Sequence, residues 1–239
     1  MTQPLPPPDE LRRLLYTPVL SDVLDSFGLM HQALRPFVRP LDESLVLLGR
    51  ARTGRYQATE SVPPGHNPYA LEMDLVDGLH PGEVPVLACG GPTDWIAPWG
   101  ELLSIAARAR GAAGCVIDDL VRDVARIRAM RFPVFHGGIG PLDTKGRAEM
   151  VEKDTAIDIA GVHVAPAIGF WATLMAWCSS QLIKPRRCSA PRSIRSPPRI
   201  RHGPNWKQVS RSGPCMRAMA CCRHFPKLIE GLVDFGSAV

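Results

Sequence analysis

A helix start, two glycine stops and a buried strand follow one another between Gly100 and Asp123, and this succession constrains the chain more than any other stretch. Leu102, Leu103, Ile105 and Ala106, continued by Ala109 and Ala113, fall at helical spacing and predict the buried face of a helix. Gly111 and Gly114 are stop signals. Cys115, Val116 and Ile117 form a short apolar run of the buried-strand type. Asp118, Asp119, Arg122 and Asp123 then gather charge past the end of that strand, the place where open α/β folds hold ligands. The helix start at Gly100 presents unpaired backbone N–H groups and the positive end of the helix dipole, which suits an anion. One unit therefore offers amides and a guanidinium for a carboxylate, and carboxylates for a metal.

Around this unit the pattern alternates strands and helices with short links, which argues an α/β domain with a central mixed sheet. Thr17-Pro18 caps a helix in which Val19, Leu20, Val23, Leu24 and Phe27 recur at helical spacing, Asp22 and Asp25 lie on the solvated side, and Gly28 ends the run. Leu45 to Thr53 predicts a strand with Gly49 as a bulge. Residues 69–79 predict a helix, 83–89 a buried strand, 90–98 a loop, 123–130 a short helix and 132–135 a strand. Residues 140–149 are polar and loop-like, and 156–164 alternate as a half-exposed strand. His66, in a Pro- and Gly-rich loop, is expected as a solvated loop histidine. No repeat, heptad or zinc spacing stands out, and Cys221-Cys222 is not a C-x-x-C pair.

Composition narrows the class. A hydrophobic content of 45% is ample for a core. No run approaches the ~20 apolar residues of a membrane span, so no membrane association is expected. Residues 1–10 are Pro-rich and acidic, a disordered lead without signal-peptide character, and a cytoplasmic location is the default expectation. The net charge of +5 divides unevenly: residues 1–165 carry −5 and residues 166–239 carry +10. Five of the seven cysteines also lie in that last segment.

The chain resembles a known family through Thr-Pro-Val-Leu-Ser-Asp-Val-Leu-Asp (17–25), Arg-Pro-Leu (39–41), Leu-Gly-Arg-Ala-Arg-Thr (48–53) and Trp-Gly-Glu-Leu-Leu (99–103). The likeness continues through Gly-Cys-Val-Ile-Asp-Asp-Leu-Val-Arg-Asp (114–123) and Phe-Pro-Val-Phe (132–135). That family holds the regulator of ribonuclease activity A and the 4-hydroxy-4-methyl-2-oxoglutarate aldolases, which also decarboxylate oxaloacetate. The resemblance spans residues 11–166. It implies a compact α/β sandwich like the swivelling phosphohistidine domains, assembled as homotrimers or hexamers with sites near subunit interfaces. It implies a divalent metal, usually Mg²⁺, held by Asp123, with Arg122 on the pyruvyl unit and the amides of Leu102 and Leu103, at the helix start on Gly100, on its carboxylate. Asp119 departs from the family, where Gly is usual, and adds a negative charge near the expected metal. A methyltransferase label used within this family finds no support, because no Gly-x-Gly-x-Gly loop follows a strand.

The implied chemistry is physically coherent. Splitting a 4-hydroxy-2-oxo acid leaves a pyruvate enolate whose developing charge needs a Lewis acid and a fixed cation, here Mg²⁺ and Arg122. Glu101 or Asp118 is a candidate to orient a water or move a proton. Plainer readings stand beside these: Glu101 as a favourable charge at a helix N-terminus, Arg122–Asp123 as a structural ion pair. The two functional classes that remain are a 2-oxo-acid lyase and a non-catalytic regulator that binds a protein partner.

After Pro166 the text leaves the family, which normally continues Gly-Asp-x-x-x-Gly-Asp-x-Asp-Gly-Val-Val. Read from the third base of the Pro166 codon, the genetic code permits Gly-Asp-Trp-Val-Leu-Gly-Asp-Ala-Asp-Gly-Val-Val-Leu-Ile-Pro. Residues 167–239 are thus expected to be a frameshifted, irregular tail, rich in Arg, Pro and Cys, that impairs the activity and leaves sheet edges unpaired. A basic nucleic-acid-binding tail is the rival reading, weakened because its basic part offers only Trp206 and Phe225 for stacking. Sequencing the gene across the codons for Val164 to Ser180 is expected to show one base gained or lost; codons that forbid the shifted reading contradict it.

Overall fold

The computed structural model describes residues 17–26, 28–167, 169–173 and 176–180. The acidic lead and the tail beyond 180 lie outside the described residues. In order the elements are α1 (Thr17–Ser26), β1 (Arg39–Pro40), β2 (Leu47–Ala58), α2 (Ala70–Asp77), β3 (Glu83–Ala88), α3 (Glu101–Ala109), β4 (Cys115–Ile117) and β5 (Leu120–Val121). They continue with α4 (Val124–Ala129), β6 (Val134–His136), β7 (Gly138–Ile139), β8 (Ala148–Lys153), β9 (Ile157–Ile159), β10 (Val162–Val164), β11 (Gly169–Thr173) and β12 (Ala176–Ser180).

The main sheet runs β1-β6-β4-β3-β2-β11-β12, with β8 also paired to β2. Strands β2, β3, β4 and β6 are mutually parallel, and β1, β8 and β11 add antiparallel partners, so the expected mixed sheet is present. The apolar runs are short and continuous because both faces of the parallel strands are covered. On one face Val84, Val86, Val116 and Phe135 pack with Ile157, Ile159, Val162 and Val164 of the β9–β10 hairpin. On the other, Leu87, Cys115, Ile117 and Val134 meet Leu75 and Val76 of α2, Ala107 of α3 and Ile127 of α4. The period-2 alternation of a strand sends Val116 to one layer and its neighbours to the other. The result is the expected α/β sandwich.

Several local expectations change. The 156–164 segment is a hairpin, turned at Ala160 and Gly161, which have φ of 44° and 86°. Residues 148–153, read as the end of a loop and beyond, form β8, with Ala148 and Met150 buried and the charged residues between and after them turned outward. Strand β2 extends five residues past the expected Thr53, and its irregularity falls at Arg55/Tyr56. Gly49 is not the bulge. A Cβ there would lie 2.4 Å from the Gly82 carbonyl oxygen and 2.7 Å from Val84 Cγ2, so Gly permits a close approach of backbones. Asp22 and Asp25 are exposed on α1, as expected.

Sheet edges were expected to stay unpaired, but the edge along β2 is covered. Residues 47–50 pair with Ala172 to Gly169 of β11, and residues 54–58 with β8. Strand pairing is a backbone interaction, so an extended segment can satisfy those groups whatever its side chains.

Gly49→Ala is expected to lower stability by about 1–3 kcal/mol, because the obstructing atom is a backbone oxygen. Gly54→Ala should cost less, because its nearest obstruction is the flexible Met150 Cε at 2.8 Å. Urea denaturation of both variants measures the order, and an equal or larger loss for Gly54→Ala contradicts this packing.

Candidate active site at the start of helix α3

Strands β3, β4 and β6 end side by side, and the chain after β4 crosses in front of the start of α3. Two short stretches are zipped together there. Trp99 bridges Val121, and the Arg122 amide donates to the Trp99 carbonyl at 3.0 Å. Trp99 is fully buried, and its indole N–H donates to Ser104 Oγ at 2.8 Å. Ser104 Oγ donates in turn to the Gly100 carbonyl at 2.8 Å. A buried Ser is satisfied in this way, and it pins the first turn of α3 to the strand below.

Gly100 is the residue before α3, and its missing side chain makes the site. A Cβ there would lie 2.7 Å from Asp123 Oδ2, 2.9 Å from Arg122 Cγ and 3.0 Å from Arg122 Nε. Asp123 Oδ2 accepts the Glu101 backbone N–H at 3.1 Å, a carboxylate on the positive end of a helix. Asp123 itself has φ 56° and ψ 31°, the left-handed region. Asp tolerates that region better than most residues, and such strain gathers at functional sites.

Arg122 is partly exposed between two carboxylates. Its Nη1 lies 3.0 Å from Asp143 Oδ1, and its Nε lies 3.9 Å from Asp123 Oδ2. Asp143 Oδ2 accepts the Tyr69 phenol. Burial and the bond to Asp143 push the Tyr69 phenol up to about 12. Burial alone would raise Asp143, but the Tyr69 phenol and the Arg122 guanidinium outweigh it and hold this carboxyl below its ordinary range. Behind them, buried Glu72 accepts the Tyr56 phenol at 2.5 Å. Burial, with help from Asp143, pushes Glu72 up to about 7.

Of the residues singled out in sequence, Gly100, Glu101, Arg122 and Asp123 come together. The Leu102 and Leu103 amides lie in the first turn of α3, where no intrahelical acceptor exists. Leu103 and Ala106 pack against the core as expected, but the rest of the face differs. Leu102 is 76% exposed and Ile105 is 47% exposed, while Ser104 and Ala107 are buried. The small residues face the sheet because they let α3 approach it closely.

Asp118 is buried and accepts the Cys89 amide at 2.7 Å, tying the ends of β3 and β4. Burial pushes it up to about 6. No hydrogen bond or ion pair among the described residues links it to Arg122 or Asp123. Asp119 is tied into the loops after β3 and β4. It is buried, and its carboxylate accepts the Thr93 hydroxyl at 2.7 Å and the amides of Thr93 and Leu120 at 3.1 and 2.8 Å. Its backbone is not left-handed, so an Asp is accommodated there without strain. His66 is an exposed loop histidine, as expected, and pairs with Glu149 at 2.6 Å. Asp143 and Glu72 were not singled out in sequence; each sits among other charged residues with no spacing that marks it.

The donor set fits a hard cation. No group of three or more His, Cys, Asp or Glu side chains among the described residues could enclose an ion. One partly exposed carboxylate, Asp123, with Oδ1 engaged by no hydrogen bond among the described residues, suits a cation such as Mg²⁺ that keeps several waters.

The RraA-like family, described as Aldolase/RraA, matches residues 17–168. Protein DlpA of Legionella pneumophila is 30% identical over 148 residues, covering 62% of this chain but only 23% of that protein. A Halalkalibacterium halodurans protein, named provisionally as a 4-hydroxy-4-methyl-2-oxoglutarate aldolase, is 34% identical over 155 residues, 64% of this chain and 67% of its own. The crystal structure of Streptomyces coelicolor RraAS2, described as an unusual member of the RNase ES inhibitor RraA protein family, superposes with a TM-score of 0.61. It is 19% identical, and the match covers 74% of this chain and 86% of that one. The chain belongs to the RraA-like family, which holds both aldolases and ribonuclease regulators. No helix among the described residues is long and apolar enough to cross a membrane.

The raised Glu72 carboxyl sets a pH dependence. Unfolded, the group ionises near 4.5; folded, near 7. The folded state therefore binds the extra proton between those values, and stability falls as pH rises through that window. Glu72→Gln, which keeps an acceptor for Tyr56, is expected to flatten this fall and to melt higher than the parent at pH 8. Thermal melts from pH 4.5 to 8 check it, and parallel curves for the two proteins contradict it.

Proposed function

We propose that the chain is a divalent-metal-dependent carbon–carbon lyase that releases pyruvate from 4-hydroxy-2-oxo acids or oxaloacetate. The observation that carries this reading is the seating of Asp123 and Arg122 against the side-chain-free Gly100 at the start of α3.

The amides of Leu102 and Leu103 bind the carboxylate of the pyruvyl unit, aided by the helix dipole. Arg122 faces the keto oxygen and stabilises negative charge as it develops during bond cleavage. Asp123 would hold the Mg²⁺ ion, which when bound supplies Lewis-acid polarisation of the same oxygen. Glu101, partly exposed at the helix start, is the group placed to orient water or move a proton. Asp118 is the poorer candidate, because its carboxylate is occupied by the Cys89 amide.

A regulator that acts by binding a protein is the second reading, favoured by the exposed Leu102 and Ile105 beside the site. The same apolar face suits the interface of a homotrimer. Neither a nucleic-acid partner nor a membrane is part of the proposal.

Pyruvate release from oxaloacetate by the full chain with Mg²⁺, measured above the metal-only background, separates the two. The lyase reading expects release that a chelator abolishes, and losses of about 100-fold or more in kcat/KM for Arg122→Ala and Asp123→Asn. No release above background, or release indifferent to both substitutions, contradicts it.

A further inference from the structure

We propose that Asp143, held by the Tyr69 phenol, is a positioning residue that fixes the guanidinium of Arg122; its catalytic consequence rests on the lyase reading above. Three distant parts of the chain meet in this arm. Tyr69 immediately precedes α2, Asp143 lies in the loop between β7 and β8, and Arg122 follows β5.

A guanidinium carries five N–H donors in one plane. Asp143 Oδ1 forms an ion pair with Nη1 at 3.0 Å, and Asp123 Oδ2 stands 3.9 Å from Nε. The two carboxylates approach different nitrogens of the guanidinium, and no partner among the described residues engages Nη2. That nitrogen is left for an incoming oxygen. Asp143 is itself fixed, because Tyr69 occupies its other oxygen. Its loop is fixed as well, since Arg147 Nη1 donates to the Asp143 carbonyl at 2.9 Å. A long, flexible side chain is thereby held in one orientation before substrate arrives, which is what stabilising a developing charge requires. Tyr69 acts only through Asp143, so the two residues form a chain and not two independent contributions.

The arm is tested with Asp143→Ala, Asp143→Asn, Tyr69→Phe and the double variant Tyr69→Phe/Asp143→Ala, all in the full-length protein. Asp143→Ala is expected to lower kcat for pyruvate release about tenfold or more while KM moves less than about threefold, because the substrate carboxylate stays on the α3 amides. Asp143→Asn, which keeps the size of the side chain but removes the charge paired with Nη1, is expected to lower kcat as Asp143→Ala does. Tyr69→Phe lowers kcat by itself and adds nothing in the Asp143→Ala background.

A second readout needs no turnover. Rotation of the Arg122 guanidinium, followed by ¹⁵N NMR on the signal lost in Arg122→Lys, should be slow in the parent and fast in Asp143→Ala. If the parent releases no pyruvate, the lyase reading fails and the NMR still judges the arm. Unchanged rotation in Asp143→Ala, or additive losses in the double variant, overturns the proposal.

Discussion

The contact between Gly100 and Asp123 is the constraint on which the rest depends. Two chain segments approach so closely that a single methyl group at residue 100 would strike the Asp123 carboxylate and the Arg122 side chain together. The approach is enforced from beneath by backbone, through the Trp99 carbonyl and the Arg122 amide. It is enforced from above by the carboxylate that accepts the Glu101 amide. A charged pair is thus delivered to the mouth of a helix by hydrogen bonds that belong to the fold.

The sheet makes that delivery possible. Parallel strands buried on both faces end together, so their following loops converge. The rigid elements that hold the site are apolar and continuous with the core: Trp99, Ile117 and Val121 are fully buried within one layer. Polar ties finish the loops. Asp118 holds the Cys89 amide and Asp119 holds Thr93, so two buried carboxylates near the site serve the loops and leave Asp123 to face outward. Asp119 is bound by a hydroxyl and two amides, which satisfy its carboxylate within the loops.

The central unit was legible in the sequence because its signals are local. A helix period, two glycines and a three-residue apolar run define it, and the family resemblance assigns roles to Arg122 and Asp123. The buried face of α3 was legible only in part: Leu103 and Ala106 pack inward, but Leu102 and Ile105 outweigh Ser104 and Ala107 on any hydrophobicity count, whereas close packing on a sheet selects the small residues. Strand β8 hid behind Glu149, Glu152 and Lys153, whose charges face outward while Ala148 and Met150 carry the burial. Asp143 was illegible for a different reason: its partners Arg122 and Tyr69 lie 21 and 74 residues away in the chain, and no local pattern encodes such a meeting. The hairpin of β11 and β12 shows the reverse, a backbone-driven pairing of a segment whose composition promised none.

The central claim is that Asp123, seated against Gly100, is the protein's cation ligand. Binding of Mn²⁺, a spectroscopic substitute for Mg²⁺, to the parent and to Asp123→Asn measures this directly by electron paramagnetic resonance. The account predicts one bound ion per chain in the parent and an affinity lowered by about tenfold or more in Asp123→Asn. Equal binding by the two proteins, or no binding by the parent, would contradict it.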